Sequence, residues 1–245
     1  MSFVHETPSS TPVAILAGGL GKRLRAELDG RPKSLAPVAG RPFLDYLLAW
    51  LRATGFHEVI LCVGHKRRQI RRRYARGHNS GLRIVYSIEK RTLGTAGAVR
   101  HAARLIRHGT FLVVNGDSFF DVDPAALIAF HRRRRALVTM ALAPAPGGAR
   151  YGTVRAAHSG KILKFVEKET ARSRHSWINA GVYVFDRSVV SRIPAGREVS
   201  LEREVFPRLI GERFYGYPAR GYFIDIGMPE DFARAQKEFH DRFAP

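Results

Sequence analysis

Three glycines, Gly18, Gly19 and Gly21, close the apolar run that opens "AILAGGLGKRLR" (Ala14 to Arg25), and Lys22, Arg23 and Arg25 follow at once. Between a first strand and a helix, glycines let backbone N–H groups approach an anion, because no Cβ blocks the way and positive φ is open to them. The spacing fits neither of two familiar phosphate loops. A dinucleotide fingerprint needs glycine where Leu24 stands, and a P-loop needs glycine at Leu16 and Ser or Thr at Arg23. What remains is a turn that carries its own cations, and "RPKSLAPVAGRP" adds Lys33 a little further on. A triphosphate, with about four negative charges, calls for several cations as well as backbone donors. Asp117 follows the apolar "FLVVNG" and Asp225 follows "YFI", so each carboxylate is expected at the C-terminal end of a strand, the edge where open α/β sheets bind ligands. Mg²⁺ takes hard oxygen ligands, typically one or two carboxylates with phosphates and waters. Singly, the turn reads as a plain connection, Lys33 as a surface lysine and each aspartate as a loop cap. Together they describe a metal–nucleotide site.

The elements that must position these groups alternate β-branched runs with amphipathic stretches, which predicts an α/β fold: a Rossmann-like mixed, mostly parallel sheet flanked by helices. "PVAIL", "EVILCVG", "LRIVYSI" and "TFLVVNGD" read as strands. "FLDYLLAWLRAT" puts Phe43, Leu44, Leu47, Leu48 and Leu51 on one helical face, with Pro42 near the start and Gly55 as a stop. Further helices are expected from Lys66 to about Arg76, from about Thr95 to Ile106, and in "DPAALIAFHRRRR", where Asp123 is the N-cap and Pro124 the first helical residue. From about residue 137 the strands "ALVTMALA", "GTVRA", "KILKFVE" and "GVYVF" arrive in succession and imply antiparallel or mixed pairing. Helices over "SLEREVFPRLI" and "PEDFARAQKEFHDRF" complete the pattern, separated by the strand-like "FYGYPARGYFIDIG". With no repeat or long linker, the expectation is a single domain over 1–245, residues 1–12 forming a flexible tail.

Composition bounds the partners. The 245 residues are 45% hydrophobic, enough for a sizeable core. No apolar run reaches some 18 residues and the N-terminal stretch lacks the pattern of a signal peptide, so a cytoplasmic location and no membrane contact are expected. The single cysteine, Cys62, sits in an apolar run, which rules out disulfide frameworks and reads as buried filler. The balance of 41 Lys+Arg against 21 Asp+Glu, a net charge of +20, favours polyanionic partners. The densest runs, "HKRRQIRRRYAR" and "FHRRRR", read as solvent faces and ends of helices. They lack the alternation of aromatic and basic residues that a base-stacking surface needs, so no nucleic-acid partner is expected.

Read in order, "AILAGGLGKRLR", "RPKSLAPVAGRPFLDYLL", "LGTAGAV", "VVNGDSFFDVD", "RYGTV", "FVEK", "NAGVYVF" and "YFIDIGMPEDFARAQ" resemble the sugar-1-phosphate nucleotidylyltransferases over nearly the whole chain. Within that family the pattern is most similar to the D-glycero-D-manno-heptose 1-phosphate guanylyltransferases. The resemblance implies that Gly18, Gly19 and Gly21 bind the nucleotide while Arg23 and Lys33 stabilise charge on its phosphates. It further implies that Gly94, Thr95 and Ala96 approach base and ribose and that Asp117 and Asp225 hold Mg²⁺. For the sugar 1-phosphate it implies Glu167 on the sugar, Lys168 on the anomeric phosphate, and Gly152, Asn179 and Gly181 lining the pocket. Lys22 and Glu169 depart from the family pattern, which often has Thr or Ser at the first position and Pro at the second.

The chemistry implied is an in-line displacement in which an oxygen of the sugar 1-phosphate attacks the α-phosphorus of a nucleoside triphosphate and pyrophosphate departs. The nucleophile is already anionic, so catalysis reduces to holding two polyanions together and neutralising the transition state. None of the ten histidines is needed. Glu89, just ahead of "LGTAGA", is able to accept the N1–H and N2–H of guanine, which points to GTP, although an exposed Glu at a strand end fits the same position. Mannose, glucose or N-acetylmuramate 1-phosphate with UTP or dTTP remain alternatives, and a homo-oligomer is left open. Capsule, surface-layer or lipopolysaccharide precursor synthesis is the setting that the resemblance suggests.

Overall fold

A computed structural model describes residues 10–19, 21–24, 27–75, 81–145, 153–166 and 177–243. Arg25, Gly152, Glu167 and Lys168 lie outside the described residues.

The chain begins with β1 (Val13–Leu16), and the short β2 (Pro37–Val38) and β3 (Arg41–Pro42) lead into α1 (Phe43–Ala53). β4 (Glu58–Val63), α2 (Arg67–Tyr74), β5 (Arg83–Ile88), α3 (Gly94–Ala102), β6 (Thr110–Asn115), β7 (Ser118–Phe120) and α4 (Pro124–Arg133) follow in order. The remainder comprises β8 (Val138–Pro144), β9 (Thr153–Ala156), β10 (Ile162–Val166), β11 (Trp177–Asp186), β12 (Phe214–Pro218), β13 (Phe223–Asp225) and α5 (Pro229–Arg242).

β1 pairs in parallel with both β4 and β6, and β4 pairs in parallel with β5. Beyond β6 the pairing turns antiparallel through β11 to β8, β9 and β10, and β12 returns parallel to β8. The sheet is therefore mixed, as the succession of strands after residue 137 predicts. Alternation along each strand feeds two cores. Val13 and Ile15 of β1 pack with α1 and α5 on one face, whereas Ala14, with Cys62 of β4 and Val113 of β6, packs with α3 on the other. Cys62 is fully buried, which pushes its thiol pKa up and makes it the inert filler its sequence context suggests.

The predicted face of α1 is buried throughout, and Asp123 caps α4 by accepting from the Ala125 and Ala126 amides at 2.8 and 3.2 Å. Two helical expectations are corrected. α3 stops at Ala102, short of Ile106, in i→i+3 turns such as Leu105 N to Ala102 O at 2.9 Å. Over "SLEREVFPRLI" no α-helix forms: Leu201–Val205 makes a wide turn, with Val205 N bonded to Ser200 O at 3.3 Å, and Phe206–Leu209 tightens to a 3-10 turn. Pro207 has no amide to donate, so the ladder is interrupted there and the apolar period is present without it, even though Phe206 itself keeps helical backbone at φ −60° and ψ −41°.

His131, on α4, is buried against Thr139 of β8, its Nδ1 3.0 Å from the hydroxyl. Burial, reinforced by Arg132 and opposed by Asp186, lowers its pKa to about 4. The unfolded chain takes up this proton from about pH 6.5 downward and the folded chain does not, so the stability is complete above pH 6.5 and declines as pH falls towards 4. Urea unfolding at pH 7 and pH 4.5 should show His131→Gln shrinking the wild-type stability difference by about 2 kcal/mol.

Candidate functional site

The parallel register aligns the C-terminal ends of the central strands: Leu16 of β1 stands beside Cys62 of β4 and Asn115 of β6. The glycine turn, the segment after β4 and the Asn115–Asp117 turn therefore leave the sheet at one edge. A cleft of about 520 Å³ opens there, walled by Gly18, Gly19 and Gly21 on one side and by Gly94 and Thr95 at the start of α3 on another. Gly21 has a φ of 59° and packs so closely on Lys33 that a Cβ would stand 3.3 Å from the lysine Cβ. Only glycine meets both demands without strain.

Asp225 reaches the cleft through β13, which pairs with β7 so that Asp225 lies opposite Ser118, next to Asp117; Ile226 N closes the junction on Asp117 O at 2.9 Å. Lys33 Nζ sits between the two carboxylates, 2.6 Å from Asp117 Oδ2 and 3.8 Å from Asp225 Oδ1. Burial works against the ammonium charge, but attraction to Asp117 and Asp225 and the hydrogen bond to Asp117 outweigh it and hold its pKa above the usual value. Burial, followed by repulsion from Asp117, raises the pKa of Asp225, with Lys33 and the Gly227 amide at 2.7 Å opposing the shift. Arg23 lies at the exposed mouth, its Nη1 3.9 Å from Met228 Sδ.

The residues present fit a divalent metal. Asp117, Asp225 and the side-chain oxygen of Asn115, which is buried without a partner, are all hard oxygen donors lining one cleft. Among the described residues no group of three or more His, Cys, Asp or Glu gathers into a self-sufficient metal centre. The set is suited to a cation that completes its shell with phosphate oxygens.

Glu89 is 7% exposed and lines the cleft beside Gly18, where a Cβ would stand 3.3 Å from its Oε1. Burial raises its pKa against a hydrogen bond from the Leu93 amide. It is a recessed acceptor, not the exposed strand-end residue that the sequence also allowed.

The expected nucleotide and sugar contacts divide. Thr95 lines the cleft, but its hydroxyl is engaged, accepting from Leu201 N at 2.7 Å and donating to Glu202 Oε2 at 3.1 Å. Ala96 is fully buried with its N–H on Val199 O at 2.9 Å, so it packs beneath the cleft instead of lining it. Asn179 also turns inward, accepting from Gly181 N at 3.0 Å and donating to the Tyr183 hydroxyl at 2.8 Å at an irregularity in β11. Neither Asn179 nor Gly181 is among the described residues lining the cleft; Gly181 packs against Asn115 and Ser118, and Asn179 holds the Gly181 amide. Conversely, Asn115, Glu198 and Glu202 line the cleft without having been singled out. The asparagine was visible in "VVNGD", whereas the two glutamates lie in and beside a segment whose apolar period suggested an ordinary helix.

The sequence pattern of the Nucleotidyl transferase family matches residues 13–242, and the chain belongs to that family. It is 40% identical over 234 residues to a mannose-1-phosphate guanylyltransferase of Mycobacterium tuberculosis, covering 94% of this chain and 65% of that protein. It is 36% identical over 225 residues to a D-glycero-alpha-D-manno-heptose 1-phosphate guanylyltransferase of Aneurinibacillus thermoaerophilus, covering 91% of this chain and 96% of that one. The crystal structure of HddC from Yersinia pseudotuberculosis superposes with a TM-score of 0.83 at 28% identity, over 94% of this chain and 99% of that chain, and the same protein has been solved with GMP-PN.

At Gly94, φ is 70° and a Cβ would fall 2.4 Å from Val199 O. Gly94→Ala is expected to cost about 1–3 kcal/mol from backbone strain alone, before the clash is counted. Urea unfolding measures the loss, and nucleotide titration should show weaker binding as the start of α3 separates from the 198–202 segment.

Proposed function

We propose that the chain transfers GMP from GTP to D-glycero-α-D-manno-heptose 1-phosphate, releasing pyrophosphate and forming the GDP-sugar. The observation that carries this reading is the convergence at one sheet edge of the glycine turn, Lys33 and the Asp117–Asp225 pair, brought together from distant parts of the sequence. Such a site suits a reaction in which both substrates are polyanions and the nucleophile needs no base. A sugar phosphate oxygen forms a bond to the α-phosphorus of GTP, the bond to the bridging oxygen breaks, and its electron pair leaves on pyrophosphate.

Amides of the glycine turn bind the triphosphate, and Lys33 and Arg23 neutralise charge that builds on the departing diphosphate. Asp117 and Asp225 would hold Mg²⁺, which supplies charge neutralisation at the phosphates when bound. Glu89 accepts the N1–H and N2–H of guanine, a pair of donors that uracil and thymine lack. Gly152, Glu167 and Lys168 are assigned to the sugar 1-phosphate. Asn179 and Gly181 serve that pocket by fixing the floor around Asn115.

The heptose is favoured because the heptose guanylyltransferase relative is matched over 96% of its length. Mannose 1-phosphate is the second reading, favoured by the 40% identity to the mycobacterial enzyme, of which the chain spans only 65%.

Pyrophosphate release measured with Mg²⁺, crossing GTP, UTP, dTTP, CTP and ATP with heptose, mannose and glucose 1-phosphates, tests both readings. Release confined to GTP with the heptose phosphate is expected. Release with GTP and mannose phosphate alone replaces the sugar, and release with no pair overturns the proposed function. Asp117→Asn and Asp225→Asn should each lose about a hundredfold or more in turnover with unchanged melting. Near-normal rates in both would remove the metal role.

Glu89→Gln should reduce the preference for GTP over UTP by about tenfold or more, because one charged acceptor is replaced by a group that presents a donor to guanine. An unchanged ratio of kcat/KM values would refute this assignment.

A further inference from the structure

A second hollow, of about 350 Å³, shares Glu89 and Leu93 with the nucleotide cleft and faces away along α3. Its basic lining comes from three separate stretches: Lys90 and Arg91 after β5, Arg100, His101 and Arg104 along α3 and just past its end, and Arg197. Among the described residues Glu89 is the one carboxylate that lines it.

Helix C-termini favour cations, and this accounts in part for Arg100, His101 and Arg104. It does not account for Lys90 and Arg91, which enter the same hollow from another loop. Arg197 is balanced by Glu204 at 2.6 Å. Arg91 and Arg100 are held differently, by backbone carbonyls: Arg91 Nη2 donates to Gly196 O at 2.9 Å, and Arg100 Nη1 to Val190 O at 3.0 Å and Ile193 O at 2.7 Å. A carbonyl fixes a guanidinium without cancelling its charge. Among the described residues, no carboxylate forms an ion pair with Lys90, Arg91, Arg100 or Arg104, so the hollow concentrates uncompensated positive charge on partly pre-positioned donors. Crowding like charges in this way is unfavourable unless an anion joins them.

We infer that this hollow binds a diphosphate group, supplied either as inorganic pyrophosphate or on a nucleoside such as GDP. A diphosphate carries enough charge to engage the four cations Lys90, Arg91, Arg100 and Arg104 that line the hollow. The binding itself is independent of the proposed reaction, and only the expectation that both sources are products of this enzyme, free or as part of the GDP-sugar, rests on that reading. Because Glu89 borders both spaces, negative charge in the hollow opposes its carboxylate, and occupancy weakens GTP binding by the same factor as GTP weakens diphosphate binding.

Calorimetric titration of the full chain at fixed ionic strength, with inorganic pyrophosphate and separately with GDP, tests the inference. The wild type should show a class of pyrophosphate sites that Lys90→Glu/Arg104→Glu weakens at least tenfold, while thermal melting stays unchanged. Lys90→Gln/Arg104→Gln should give a graded loss and serves if the charge reversal does not fold. Loss of the GDP isotherm's second event as well assigns the nucleoside form, and its absence from the wild type assigns inorganic pyrophosphate. Identical isotherms for wild type and both variants, with either ligand, overturn the inference. None of these readouts needs turnover, so failure of the proposed reaction would leave them readable.

Discussion

Two carboxylates at one sheet edge repel each other, and burial makes the charge of Asp225 more expensive to keep. The ammonium of Lys33, 2.6 Å from Asp117 and 3.8 Å from Asp225, is what allows both to stand there. Much of the local architecture serves this ion triad. Gly21 lets the first turn lie against Lys33, the pairing of β13 with β7 delivers Asp225 to Asp117, and Gly227 lends an amide to Asp225. In the proposed reaction the triad explains why Lys33 and a divalent ion belong to one device. Both are cations suited to the same oxygens: Asp117 and Asp225 would hold the metal, which would supply charge neutralisation, and the Lys33 ammonium lies close enough to share that task at the phosphates.

The edge itself follows from hydrogen-bond register. Because β4, β1 and β6 run parallel with Cys62, Leu16 and Asn115 in line, three loops from separate parts of the chain are obliged to emerge together. The start of α3 joins them through a different device. Val199 N bonds Leu93 O, the Ala96 amide returns to Val199 O, and the Thr95 hydroxyl clamps Leu201 N. The wide turn at Leu201–Val205 is therefore part of the site wall, which is consistent with the frequent occurrence of such irregular turns next to functional sites.

What the sequence made legible was whatever depends on one local stretch. The glycine turn, Lys33 and the two strand-end aspartates announce themselves by composition and position, and the capping of α4 by Asp123 could be read from a single dipeptide. The strand succession after residue 137 was equally plain. Illegible were the facts that depend on who sits opposite whom. Nothing local says that Thr95 spends its hydroxyl on the 201–202 backbone and carboxylate, that Ala96 faces the core, or that Asn179 turns to Tyr183. Each of these positions lies within a motif that the family resemblance associates with ligand, yet tertiary contacts engage it: Thr95 lines the cleft with its hydroxyl already bonded, Ala96 is buried, and Asn179 bonds Tyr183. The segment over 200–210 misled for the opposite reason: its apolar spacing is helical, and Pro207 overrides it.

The net charge of +20 divides along the same line between local and tertiary causes. Several arginines lie over aromatic rings and cover apolar surface with their stems: Arg71 on Tyr86, Arg134 on Phe130 and Tyr215, Arg242 on Tyr222. Others pair with carboxylates, as Arg73 does with Asp45 and Arg192 with Glu212. These need no external partner. Most of the cations gathered around the hollow beside α3 are not explained in this way: Arg197 pairs with Glu204, but Arg91 and Arg100 are held by backbone carbonyls. A field of this sign draws phosphorylated molecules towards the surface and is strongest where low-dielectric walls confine it. The cleft and the hollow that adjoins it both present such charge, and among the described residues Glu89 is the one acidic side chain that lines both.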